Sequence, residues 1–137
     1  MSIKTSKASA SDRDAAFTAD LNGGTLEIRT GSAPSTPEST QTGTVLVTFT
    51  LPNPAFGTPV TTSGDAVATA NSISAATATA GSPSNAGYFC AKNSSGTPVM
   101  IGTVTATGGG GDLTLDNISI ATGQSVTITS WTITDPT

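Results

Sequence analysis

The sequence predicts an all-β fold: an antiparallel β-sandwich, jelly-roll-like, carrying one short N-terminal helix. Three observations lead there. From Thr25 onward apolar and polar residues alternate in run after run, the signature of strands with one buried face. Gly, Pro and Asn turns separate the runs at short intervals. No strand alternates with a helix-length segment, which argues against a doubly wound or barrel-type α/β architecture. At 137 residues the chain fits one domain, and such a chain buries roughly 68% of the surface of its unfolded form, enough for a real core. We divide it into an N-terminal arm, 1–10, and a sandwich domain, 11–137.

The helix is predicted over about 12–21. Ser11 is placed as N-cap, Asp12 and Asp14 lie in the first turn, Phe17 and Leu21 share a face, and Asn22-Gly23-Gly24 ends it. Residues 1–10 are small and polar, either a disordered tail or a segment that orders against a neighbouring chain. The runs 25–30 and 43–51 alternate, the first with Leu26 and Ile28 on one face, the second with Val45, Val47, Phe49 and Leu51. Between them lies a turn-rich loop with two prolines, and Pro52 and Pro54 end the second run because neither can donate to a ladder. Short extended pieces follow at 58–62 and 65–71, and 72–87 reads as a thin strand and a loop. Further strands are expected at 87–93, 98–106, 112–120 and 125–134. In the last, inward parity shifts between Ile128 and Trp131, which places a β-bulge near Thr129 or Ser130.

Charged residues make up 10% of the chain, against about 25% in ordinary soluble proteins. With a net charge of −4 and only Lys4, Lys7, Arg13, Arg29 and Lys92 as cations, no basic stripe exists to neutralise a run of phosphates. Nucleic acid is therefore not an expected partner. Nor is a membrane, since the chain has neither a basic amphipathic helix nor an apolar run of about 20 residues. The first residues lack the apolar core of a secretion signal, so the mature chain is expected to start at or near residue 1. Cys90, the single cysteine, reads as a buried structural thiol.

The absence of histidine excludes Ser-His and Cys-His catalysis and His-ligated metal sites. Asp112 and Asp116 are the nearest carboxylates in the strand region. Four residues of strand separate them by about 13 Å, too far for glycosidase chemistry. Asp112, Asp116 and Asn117 could hold a cation only weakly; their plain reading is a solvated strand end. The run Gly108–Gly111 lacks the lysine of a phosphate loop and leads into a strand, so it reads as a flexible hairpin joint. The sequons at Asn93 and Asn117 read as chance. We thus expect no catalytic residue, no cofactor and no metal, and a protein that is not an enzyme.

Several stretches in order, LNGGTLEIRTGSAP, TGTVLVTFTLPNPAFG, DAVATANSISAATATA, AGYFCAKNSSGTPVMIGTV and GGGGDLTLDNISIATGQSVTITSWTIT, resemble small virion structural proteins of tailed bacteriophages. The resemblance covers about 11–134, and none of its motifs is catalytic. It implies a virion protein of the capsid decoration (cement) type, made in the bacterial host cytoplasm and carried on the capsid exterior. The implied partners are the major capsid protein and further copies of the chain. Strand addition by residues 1–10 would supply affinity through main-chain hydrogen bonds, and many copies would supply avidity. Two alternatives stand beside it: a phage tail or neck component, and a carbohydrate-binding sandwich module. Against the second, Trp131 and Tyr88, the single Trp and Tyr, fall in strands where core packing is their expected role.

Overall fold

The computed structural model describes residues 6–62 and 65–135. Helix α1 spans Lys7–Ala19, capped by Ser6, whose side chain accepts a hydrogen bond from Ser9 N. It thus starts five residues ahead of the expected position. Ser6 offers the same capping oxygen as Ser11, and the Lys-Ala-Ser-Ala segment between them tolerates helix well. Residues 6–10 of the expected arm are therefore the cap and first turn of α1, while residues 1–5 lie outside the described residues.

The strands are β1 Thr25–Arg29, β2 Val45–Thr50, β3 Val60–Thr62, β4 Asp65–Thr69, β5 Ala76–Thr77, β6 Ser84–Asn85, β7 Tyr88–Lys92, β8 Pro98–Ala106, β9 Leu113–Leu115, β10 Ser119–Ile120, β11 Ser125–Val126 and β12 Ile128–Asp135. The protein is all-β and sandwich-like with one short helix. Eight strands form one sheet in the order β2-β1-β7-β8-β9-β12-β4-β3, and two two-stranded pieces, β10-β6 and β11-β5, complete the framework.

Two long strands change partner midway, which lets a single run of strands turn around one core. In β8, Pro98–Thr103 pair with β7 and Val104–Ala106 with β9. In β12, Ile128–Trp131 pair with β9 and Thr132–Asp135 with β4. The register of β12 on β9 shifts between Ile128 and Ser130, at the expected bulge. Inside, Leu26, Ile28, Val47, Phe49, Phe89, Leu113 and Leu115 are buried in one cluster with Trp131. The indole meets Phe56 and Phe89 edge-on, with centroids 4.7 and 5.5 Å away.

The expected strand 112–120 is broken into β9 and β10. Asp116 and Asn117 turn their side chains onto the backbone, Asp116 Oδ1 accepting from Thr127 N at 3.1 Å and Asn117 Oδ1 from Ser119 N at 2.9 Å. Such local bonds compete with a ladder. Leu46, assigned by alternation to the solvent face, is also buried, because the chain beyond β5 crosses it: Thr79 N donates to Leu46 O at 2.8 Å.

Strand β7 is buried on both faces. Phe89 and Ala91 face the core, while Tyr88 and Cys90 face the other way, Tyr88 beneath the loop 31–44. Tyr88 fastens that loop: its hydroxyl donates to Thr42 O at 2.8 Å and accepts from Thr42 N at 3.0 Å. Tyr88→Phe strips both groups of their partner and is expected to cost about 1–3 kcal/mol. The check is urea unfolding together with limited proteolysis, which should cut first within 31–44.

Candidate functional site

The four glycines join β8 to β9, and these strands run parallel: Val104 pairs with Leu113, Thr105 with Thr114 and Ala106 with Leu115. The hairpin reading is thereby corrected. Parallel neighbours ordinarily need a crossover of about a dozen residues; here residues 107–112 double back and turn again. Gly108 and Gly110 take φ +85 and +83. Gly109 and Gly111 lie against Thr105, where a Cβ would come within 2.7 and 2.9 Å of its side chain. Two of the four glycine amides are engaged internally, Gly109 N with Ala106 O at 2.9 Å and Gly111 N with Thr105 Oγ1 at 3.0 Å. With these two turned inward, the run does not present four converging N–H groups to an anion.

Asp112 closes this loop. Its Oδ2 accepts from Thr103 N and Thr103 Oγ1 at 3.0 and 2.9 Å, and its N–H donates to the same hydroxyl at 3.0 Å. Asp116 sits beyond the far end of β9, tied to Thr127. The two carboxylates thus fasten opposite ends of one short strand and do not converge. Among the described residues no group of three His, Cys, Asp or Glu side chains could hold a metal ion. Asn93, in the other sequon, uses Oδ1 to cap the turn, accepting from Ser95 N and Thr97 N at 3.0 Å each.

Sequence reasoning missed the joining of Glu27, Arg29 and Lys92. Glu27 Oε1 meets Arg29 Nη2 at 3.0 Å and Oε2 meets Lys92 Nζ at 3.2 Å, across the β1–β7 pair. The available signal was the i, i+2 spacing of Glu27 and Arg29, which puts both on one face of a strand. Glu27 stands opposite Cys90 in register. Burial, and secondarily the Glu27 carboxylate, raises the thiol's pKa, with Lys92 and Arg29 partly offsetting this. The thiol is therefore protonated at neutral pH and a poor nucleophile.

Two outcomes are expected. Thiol reagents should label Cys90 in the native protein only as fast as the chain opens, and at once after denaturation. Because the folded pKa is raised, its contribution to stability is complete below the ordinary thiol value of about 8.5 and is lost as pH rises toward the folded value. Unfolding curves from pH 7 upward should show this decline, and Cys90→Ala should flatten it.

Trp131 and Tyr88 are each 1% exposed, so neither presents a ring to a sugar. The cleft beside Leu46, about 790 Å³, is walled by small uncharged side chains such as Thr30, Thr44, Ser82 and Asn85. A second cleft, about 480 Å³, opens where β8 and β12 diverge and reaches Phe89 and Trp131. No helix among the described residues is long and apolar enough to cross a membrane. Comparison with protein-family models, curated proteins and solved structures finds no match to this chain.

Proposed function

We propose that the chain is a bacteriophage virion structural protein, a capsid decoration protein that binds in many copies to the outside of the major capsid protein lattice and stabilises the head without catalysing a reaction. The observation that carries this reading is the resemblance of its ordered motifs to small tailed-phage virion proteins. Its most specific parts, GGTLEIRTGSAP and DLTLDNISIATGQSVTITSWTIT, coincide with framework: β1 and the loop after it, and β9 to β12. Motifs that specify strands, turns and a bulge suit a protein whose work is to hold a shape. The engagement of Glu27, Asp112 and Asp116 in fastening strands and loops fits the same role.

The test is binding to expanded capsids that lack the protein. Purified protein should co-sediment with them to saturation and raise the temperature at which they open. Failure of both removes the reading. Mass spectrometry of separated heads and tails should find it with heads; a tail location would assign it to the tail or neck instead.

A further inference from the structure

Between β8 and β12 the sheet is incomplete. Strand β9 is parallel to β8 and antiparallel to β12, and its three residues fill only one end of the space between them. Beyond Leu113, the half-strands Pro98–Thr103 and Thr132–Asp135 have no strand between them among the described residues.

Backbone alternation shows which groups face that space. Thr103 N donates to Asp112 Oδ2 and so points away from β7. Two residues earlier, Ile101 N–H and C=O point the same way. On β12, Trp131 O accepts from Ala70 N on the β4 side, so the N–H and C=O groups of Thr132 and Thr134 turn toward the gap. The two open edges are the banks of the 480 Å³ cleft, with Phe89 and Trp131 among its lining. Trp131 Nε1 is buried and has no acceptor among the described residues. A buried donor ordinarily has a partner.

We propose that this cleft is a strand-acceptor slot, occupied by the N-terminal residues of a second copy of the chain. Met1 to Thr5 precede the capped start of α1. Extended, five residues span about 16 Å, and the β12 bank, Trp131 to Thr134, spans about 13 Å. Met1 and Ile3 fall on one side of such a strand and Ser2 and Lys4 on the other, so one side is apolar, to meet the partly buried Met100 and Ile133 that line the cleft. The charged residue lining the cleft is Asp112, and the charge in the segment is Lys4. The inserted backbone would bond to both banks, as β9 does further along. Exchange of this kind needs no capsid and stands whether or not the shell reading holds.

Trp131 is the single tryptophan, so its emission reports the cleft. The full chain and its Ile3→Asp variant are compared by analytical ultracentrifugation and fluorescence. The synthetic peptide Met-Ser-Ile-Lys-Thr-Ser is then titrated into the variant. The native chain should self-associate, Ile3→Asp should be monomeric with shifted emission, and the peptide should reverse the shift. N-methylation of the peptide's Ile3 amide should weaken its binding about tenfold or more, as loss of one backbone hydrogen bond with its acceptor left unpaired does. The slot is overturned if Ile3→Asp sediments like the native chain and the peptide leaves Trp131 emission unchanged. Equal binding of the N-methylated peptide overturns strand addition. A monomeric native chain whose emission still shifts in Ile3→Asp overturns the second copy and assigns the slot to the chain's own N-terminus.

Discussion

Trp131→Ala is expected to lower the unfolding free energy by about 3–5 kcal/mol, the range for removing a large buried aromatic. Domains of this kind hold only about 5–15 kcal/mol in all, so the variant should be partly unfolded or soluble only in the cold. The expectation rests on position: Trp131 is 1% exposed, stands at the point where β12 changes partner from β9 to β4, and takes the edges of Phe56 and Phe89. Removing it leaves rings from two separate segments without a common neighbour. Trp131→Phe should behave quite differently. It keeps an aromatic surface and deletes an N–H that has no acceptor among the described residues. Relief of that buried donor offsets part of the lost volume, and the net cost should be about 1 kcal/mol. Urea unfolding followed by circular dichroism measures both. Equal costs for Phe and Ala would mean that the indole N–H does have a partner.

Where one face of a strand is buried and the other wet, the sequence spoke clearly. Leu26 and Ile28, and Val47 and Phe49, alternate with polar residues, and they pair across β1 and β2 as alternation requires. The parity break between Ile128 and Trp131 likewise marked the bulge, because one extra residue flips all that follows. Where burial is two-sided the pattern carried less. Leu46 lies on a face that alternation assigns to solvent, and it is covered by a segment distant in sequence. The start of α1 was misplaced because Ser6 and Ser11 present the same local chemistry. The Glu27, Arg29 and Lys92 cluster depends on the β1–β7 pairing, a contact of long sequence separation that no local window contains. Nor does a local window contain the gap between β8 and β12, which exists because β9 is shorter than the strands flanking it.

Replacing Gly108–Gly111 with four alanines is expected to cost about 4 kcal/mol or more, although every side chain added is a single methyl. The cost should divide by mechanism. Gly110 has φ +83 and open space where its Cβ would stand, so Gly110→Ala costs only the left-handed backbone, about 1–2 kcal/mol, and Gly110→Asn costs less because Asn tolerates that region. Gly111 has no such φ, but its Cβ would lie 2.9 Å from both Thr105 Cγ2 and Thr105 Oγ1 and 3.0 Å from Thr105 N. Gly111→Ala should therefore cost about 1–3 kcal/mol by overpacking, and Asn should be no better than Ala there. A double-mutant cycle separates the two cases. Thr105→Ser removes Cγ2 while keeping the hydroxyl that Gly111 N donates to. It should recover part of the Gly111→Ala loss, a coupling of about 0.5 kcal/mol or more, and none of the Gly110→Ala loss. Should all four single alanines fall within about 0.5 kcal/mol of the native chain, the loop is the loose joint its composition suggests. Otherwise it is a packed double turn whose tightness starts β9 beside Val104. On that account the tight turn also sets where β9 begins, and so how much of the space between β8 and β12 stays open.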